Sequence, residues 1–374
     1  MSAEPLAIAR RRLGRVNRIV VKVGSGVIAG KGRLRAKVIE DLAYDVTVLR
    51  HQKIDVVMVV SGAVAAGFEP LGLELPPSAV VERQAAASVG QHRLMAMFSR
   101  AFIKQRVHVA QLLMTADDIE NRRRFLSARH TMQMLLSRGV VPIINENDAL
   151  SDDETKVGDN DHLAALVTNL TSAQLLVILS RVRGLYRAGT DEVITRVEVD
   201  SSVEDHISSE LSETGVGGMG AKVSAARLAG QGGVPTIIAE GGQPGMLQRI
   251  LAGDEVGTLF TPQDTKLSAR KKWIAIRSRS MGVIRVDAGA AEALRAGGAS
   301  LLPAGIKTVQ GAFEMGDRVD VQDESGQPLA VGLVSYRSDE IRRLQGRART
   351  EYQDVLGYEY VKEIMHRDDM VLVE

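Results

Sequence analysis

Two lysines, each set beside a run of glycines, stand far apart in a chain of 374 residues. Lys22 sits in Ile19-Val20-Val21-Lys22-Val23-Gly24-Ser25-Gly26, and Lys222 closes Gly215-Val216-Gly217-Gly218-Met219-Gly220-Ala221-Lys222. Glycine lets backbone amides approach an anion, and a neighbouring lysine adds a compact positive charge, so each segment suits a phosphate. Two such segments in one domain point to phosphoryl transfer. Each also has a plainer reading: Lys22 as a strand-end lysine reaching solvent along its apolar stem, and the second run as a surface hinge.

Two polar clusters lie between the lysines. Asn145-Glu146-Asn147-Asp148 follows the apolar run Val140 to Ile144, and Gly158-Asp159-Asn160-Asp161 opens a helical spacing through Leu163, Leu166, Val167 and Leu170. A helix N-cap alone would need one such residue, not three. Carboxylates near phosphate-binding lysines can hold those lysines or coordinate Mg²⁺, and amides can grip the ammonium or acid oxygens of an amino acid.

Other chemistries fit less well. Gly24 to Ala29 matches the loose dinucleotide pattern GxGxxG/A, but the next strand ends Val59-Val60-Ser61-Gly62, without the acid that would hold a ribose. The nucleotide P-loop is absent, because Ala221 separates Gly220 from Lys222 and Val223 stands where a hydroxyl residue is needed. Neither GxSxG nor HExxH occurs, and the seven histidines lack ligand spacing. His162, beside the second cluster, reads as a helix-face residue.

The scaffold that must gather these residues is legible as short apolar runs alternating with helical patterns from Asn17 to about Thr261. That alternation predicts an α/β fold, an αβα sandwich with a mostly parallel sheet. The expected strands are Arg18 to Val23, Asp55 to Val60, His108 to Met114, Val140 to Asn145, Leu175 to Ser180 and Thr236 to Ala239. Helical spacing runs over Arg33 to Gln52 and Val80 to Lys104. Residues 1–16, rich in arginine, read as a flexible solvated tail; 17–262 form the catalytic domain, 263–272 a linker, and 273–374 a small β-rich module.

Composition sets outer limits. The chain is 45% hydrophobic and 25% charged with a net charge of +1, so no global basic field draws it to nucleic acid or membrane. It has no cysteine, which excludes disulfides and thiolate metal sites and fits a cytoplasmic location. No apolar run reaches the roughly 20 residues of a membrane span.

Taken together, the segments Val20 to Ser25, Ser61 to Gly67, Gln84 to Gln91, Val141 to Asp148 and Lys156 to Asp161 resemble the amino acid kinase family, over nearly the whole chain. Ala299 to Ile306 and Leu356 to Tyr360 resemble the PUA module appended to some bacterial members. The resemblance implies ATP-dependent phosphorylation of the γ-carboxylate of L-glutamate, with Mg²⁺, in the first step of proline synthesis, with proline as feedback inhibitor and a homodimer or homotetramer as the assembly. It implies that Lys22 and Lys222 neutralise the transferring phosphoryl group while Asp161 orients both. Ser61, Gly62, Asn145, Asp148 and Asn160 fall at positions that bind glutamate. Lys22, Gly24, Ser180, Arg181, Val216, Gly217, Gly218, Met219, Gly220, Ala221 and Lys222 fall on the nucleotide side. Many relatives carry Thr where this chain has Val216 and Ala221, and Thr-Asp where it has Ser180-Arg181, so hydroxyl contacts to the nucleotide are fewer here. Two alternatives stay open: a related kinase acting on N-acetylglutamate or aspartate, and RNA binding by the PUA-like module. Both are disfavoured: the first by the substrate-side residues and the PUA-like tail, the second because basic and acidic residues roughly cancel across Gln263 to Glu374 and only 3% of the chain is aromatic.

Overall fold

The computed structural model describes residues 6–30, 33–74, 77–149, 160–198, 218–262, 280–358 and 360–373. Internal contacts divide the chain into two units: Met1–Ile119 with Thr131–Thr265, and Glu120–His130 with Lys266–Glu374. The linker expected at 263–272, the cluster residues Gly158 and Asp159, and Val216 and Gly217, expected on the nucleotide side, lie outside the described residues.

The first unit is built on an eight-stranded sheet: β1 (Arg18–Val23), β2 (Asp55–Val60), β3 (Val109–Met114), β4 (Val141–Glu146), β5 (Leu175–Ser180), β6 (Arg196–Glu198), β7 (Thr236–Glu240) and β8 (Thr258–Thr261). Their order across the sheet is β3-β4-β2-β1-β5-β7-β8-β6, all parallel except the β7–β8 pair. The central strands are covered on both faces, which is why they read as unbroken apolar runs rather than alternating ones. In β1, Ile19, Val20, Val21 and Val23 are fully buried. Burying each such side chain contributes roughly 1.5–3 kcal/mol.

Five helices matter for the site: α1 (Ala36–His51), α2 (Ala63–Gly67), α3 (Val80–Lys104), α4 (Asn160–Thr171) and α5 (Met219–Gln231). α1 forms because Ile39, Leu42, Val46 and Leu49 recur on one helical face, and all four are buried against the sheet core. α2 and α3 meet backbone to backbone. A Cβ on Gly67 would fall 1.8 Å from Ala86 O, and one on Gly90 would fall 1.8 Å from Ala63 O. Only glycine permits that approach.

The expectation of a solvated tail fails over Leu6–Arg12, which is a helix. Arg10 is 1% exposed. Its Nη1 donates to Asp254 O and Val256 O, and its Nη2 to Thr195 O and Gly257 O, at 2.7–3.1 Å. Four carbonyls from the far end of the unit thus replace the water that the sequence suggested.

The second unit holds a five-stranded sheet of β9 (Gly282–Val286), β10 (Ile306–Gly311), β11 (Arg318–Gln322), β12 (Pro328–Leu333) and β13 (Met370–Leu372), in the order β10-β9-β11-β12-β13. Its pairs are antiparallel except β9–β11. Ile284, Val286, Val319 and Val321 pack with Tyr336, Leu344 and Tyr352 in its own core. Residues 120–130 join it: Arg129, 2% exposed, pairs with Asp368 at 3.0 Å and Asp369 at 3.5 Å. His130 packs edge-on against Tyr360, and burial pushes its imidazole down to about 4. No helix among the described residues is long and apolar enough to cross a membrane.

Candidate active site

The site lies at the carboxyl edge of the first unit's sheet, where open α/β sheets bind ligands. Lys22 is the fifth residue of β1, held between Val59 of β2 and Ile178 of β5. Lys222 stands in the first turn of α5, which Gly218 N-caps. Asp161 stands in the first turn of α4, and there it joins the two lysines. Lys22 Nζ lies 2.5 Å from Asp161 Oδ1, and Lys222 Nζ lies 3.0 Å from Asp161 Oδ2. Asp161 is fully buried, Lys22 is 4% exposed and Lys222 is 8% exposed.

Burial works against the charge on Asp161, but Lys22 and Lys222 more than offset it and hold the carboxyl below the usual carboxylate range. One carboxylate and two ammonium groups give the three side chains together a surplus of one positive charge. In a desolvated setting that surplus favours an anion able to lie against both lysines.

Beside the triad is a second, uncharged group. The backbone N–H of Glu146 donates to Asn145 Oδ1 at 2.9 Å and to Asn160 Oδ1 at 3.2 Å. Asn160 Nδ2 donates to Asn145 Oδ1 and to Ser61 Oγ, each at 3.0 Å. Asn145 Nδ2 donates to Gln91 Oε1 at 2.7 Å. Ser61 is placed by its own N–H, which donates to Val23 O at 3.1 Å, tying the end of β2 to the end of β1. Gly62 follows with φ of 112°, a left-handed turn that starts α2.

The structure therefore brings Lys22, Asp161 and Lys222 together, and Ser61, Asn145 and Asn160 together, with Asn160 and Asp161 adjacent in the chain as the hinge between the sets. Asp148 stands apart from this hydrogen-bond chain. It follows β4 half-buried, and burial pushes its carboxyl up to about 6 against the pull of Arg83. Among the residues expected on the nucleotide side, Gly24 donates its N–H to Leu179 O at 3.1 Å, and Gly241 donates to Ser180 O at 2.7 Å. Arg181 is exposed and lies over Gly26, where an added Cβ would meet its Cδ at 2.7 Å. Met219, Gly220 and Ala221 form the turn that leads to Lys222.

Three features escaped the reading of single residues: Gln91, the backbone amide of Glu146, and the Gly67–Gly90 contact. The signal for the last was present in the small residues Ala86, Ala87 and Gly90, spaced along one face of a long helix that also carries Gln91.

Comparisons with known proteins agree with this geometry. The model of the amino acid kinase family matches residues 17–240, and that of the PUA domain matches residues 282–356. The glutamate 5-kinase of Syntrophotalea carbinolica is 45% identical over 96% of this chain and 98% of its own. That of Geobacter sulfurreducens is 45% identical over 96% and 99%, and that of Chromohalobacter salexigens is 42% identical over 99% and 100%. The structure of UMP kinase from Bacillus anthracis covers 67% of this chain and 97% of its own at a TM-score of 0.47 and 16% identity, too distant to bear on the site. With its lysine–carboxylate–lysine triad at the edge of a mostly parallel sheet and the family model matched over residues 17–240, the chain belongs to the amino acid kinase family.

Proposed function

We propose that the protein transfers the γ-phosphoryl group of ATP to the γ-carboxylate of L-glutamate, releasing ADP and an acyl phosphate, in the first step of proline synthesis. The observation that carries this reading is the buried Asp161 gripping both Lys22 and Lys222 next to an uncharged amide cluster, in a chain over 40% identical to glutamate 5-kinases along nearly its full length.

The acceptor carboxylate is ionised at neutral pH, so no general base is required. One of its oxygens bonds to the γ-phosphorus as the bond from that phosphorus to the bridging oxygen breaks, and the electron pair leaves on ADP. Lys22 and Lys222 meet the charge on the transferring oxygens, and Asp161 keeps the two ammonium groups aimed and close together. Ser61, Asn145, Asn160 and the half-buried Asp148 hold the amino acid, so positioning and electrostatics supply the rate. Gly24, Ser180, Arg181 and the run 216–222 serve the nucleotide.

Among the described residues no group of three carboxylates or histidines could hold a metal, and Asp161 already spends both oxygens on lysines. Magnesium in this reading would accompany the nucleotide and offset the charge of its phosphates. The reading also brings proline as feedback inhibitor, homo-oligomeric assembly and a cytoplasmic setting, and it does not favour RNA as the PUA domain's ligand.

The test is a coupled assay of the full chain with ATP, Mg²⁺ and L-glutamate, with N-acetylglutamate and L-aspartate as competing acceptors. Turnover should be specific to L-glutamate. Lys222→Ala should lower kcat by about 10²–10³, the usual loss for a transition-state charge contact. An unchanged kcat in that variant would falsify the assignment.

A further inference from the structure

The hydrogen-bond chain through Ser61, Asn160, Asn145 and Gln91 has a fixed polarity. A backbone N–H can only donate, so the amide of Glu146 obliges both asparagines to present Oδ1 to it. Asn145 is left with Nδ2, which it gives to Gln91 Oε1 at 2.7 Å. Gln91 is then left with Nε2. That nitrogen is buried on a residue 9% exposed, and it finds no acceptor among the described residues. Asn145 and Asn160, by contrast, use both ends of their amides within the chain.

Gln91 also has little freedom to turn elsewhere. It follows Gly90 on α3, where the backbone lies so close to α2 that an added Cβ would sit 1.8 Å from Ala63 O. The contact ties Gln91 to the helix that begins at the Ser61-Gly62 turn. A buried donor with no acceptor among the described residues, fixed beside a group of neutral amides, is the kind of exception that calls for a ligand atom.

We propose that Gln91 is a substrate-contacting, specificity-determining residue, whose Nε2 donates to the α-carboxylate of the acceptor amino acid. The choice of carboxylate follows from order along the chain. Asn160 is the neighbour of Asp161 and so of the lysines, whereas Gln91 stands two hydrogen bonds further on, beyond Asn145. The carboxylate that is phosphorylated belongs at the lysine end, which leaves the unreactive one for the far end. This inference rests on the amino-acid acceptor proposed above.

The decisive variant is Gln91→Glu, which keeps an oxygen for Asn145 Nδ2 but replaces the donor with a second acceptor. If Gln91 touches the substrate, KM for L-glutamate should rise by about 30-fold or more while KM for ATP stays within about twofold. If Gln91 serves only to support Asn145, both constants should stay within about twofold, and that result overturns the proposal.

Gln91→Met answers the same question without a buried charge, should the first variant fail to fold. It is read by comparing KM for L-glutamate with the inhibition constant of 4-aminobutyrate, which lacks the α-carboxylate. A loss on glutamate at least about tenfold greater than on 4-aminobutyrate supports the contact; equal losses refute it. Absence of any ATP-dependent turnover of L-glutamate by the unaltered protein would instead sink the functional reading, and this assignment with it.

Discussion

The two halves of the site solve opposite problems with opposite materials. Lys22, Asp161 and Lys222 form a group of full charges joined by contacts of 2.5 Å and 3.0 Å. Ser61, Asn145, Asn160 and Gln91 form a group with no formal charge, linked by amide and hydroxyl hydrogen bonds of 2.7–3.0 Å. Charges act at a distance and tolerate variation in the shape of what they meet, which suits a phosphoryl group whose charge moves during transfer. Neutral amides act only at contact and in one direction, which suits recognition of a particular acceptor. In the proposed reading rate and selectivity are separable, with adjacent residues, Asn160 and Asp161, serving one each.

The largest effect should come from the charged half. Asp161→Asn leaves two buried ammonium groups facing each other, so a stability loss of about 3–5 kcal/mol is expected in denaturant unfolding. A fall in kcat of about 10²–10³, with KM for L-glutamate nearly unchanged, should accompany it in the coupled assay. A KM change of the same size as the kcat change would erase the division between the halves.

Next in size is the neutral half. Asn160→Ala removes the donor to Ser61 and to Asn145, and KM for L-glutamate should rise roughly 10- to 100-fold with kcat and KM for ATP little altered. Steady-state kinetics on both substrates checks this, and a pure kcat defect would count against it.

The smallest effect is the one that pH reveals. The folded chain holds the proton of Asp148 up to about 6, above the ordinary range of an aspartate, so it binds more protons than the unfolded chain between those values. The stability contributed by this group is therefore full below the unfolded value and is lost as pH rises through about 6. The carboxylate gains its charge over the same interval, and a charged carboxylate can pair with the ammonium of the amino acid that Asp148 is proposed to hold. KM for L-glutamate should fall several-fold between about pH 5 and pH 7 while KM for ATP stays flat. Asp148→Asn should remove that slope.

Much of this was legible in the sequence for a definite reason. Strands buried on both faces must be apolar throughout, so Arg18–Val23 and Leu175–Ser180 announce their own ends, and Lys22 stands out as a charge inside such a run. Asn160 and Asp161 were visible because a helix cap does not need so many polar residues. Arg10 was not legible, because its partners are backbone carbonyls around Thr195 and Gly257, which have no side-chain signature. For the same reason the polarity of the amide chain was hidden: it is set by the backbone N–H of Glu146. The association of residues 120–130 with the second unit was hidden too, since Arg129 looks like any helix-surface arginine until Asp368 and Asp369 are placed beside it.

The central position of β1 has a consequence for how the chain is made. It is the first strand of the sheet to leave the ribosome, and β2 soon covers one of its edges, but the other edge waits for Leu175–Ser180. Throughout that interval the nascent chain carries an apolar strand with open hydrogen-bonding groups and a lysine whose partner Asp161 is not yet in place. Such an edge invites pairing with other chains, so chaperone occupancy on translating ribosomes should peak between the emergence of β2 and that of β5.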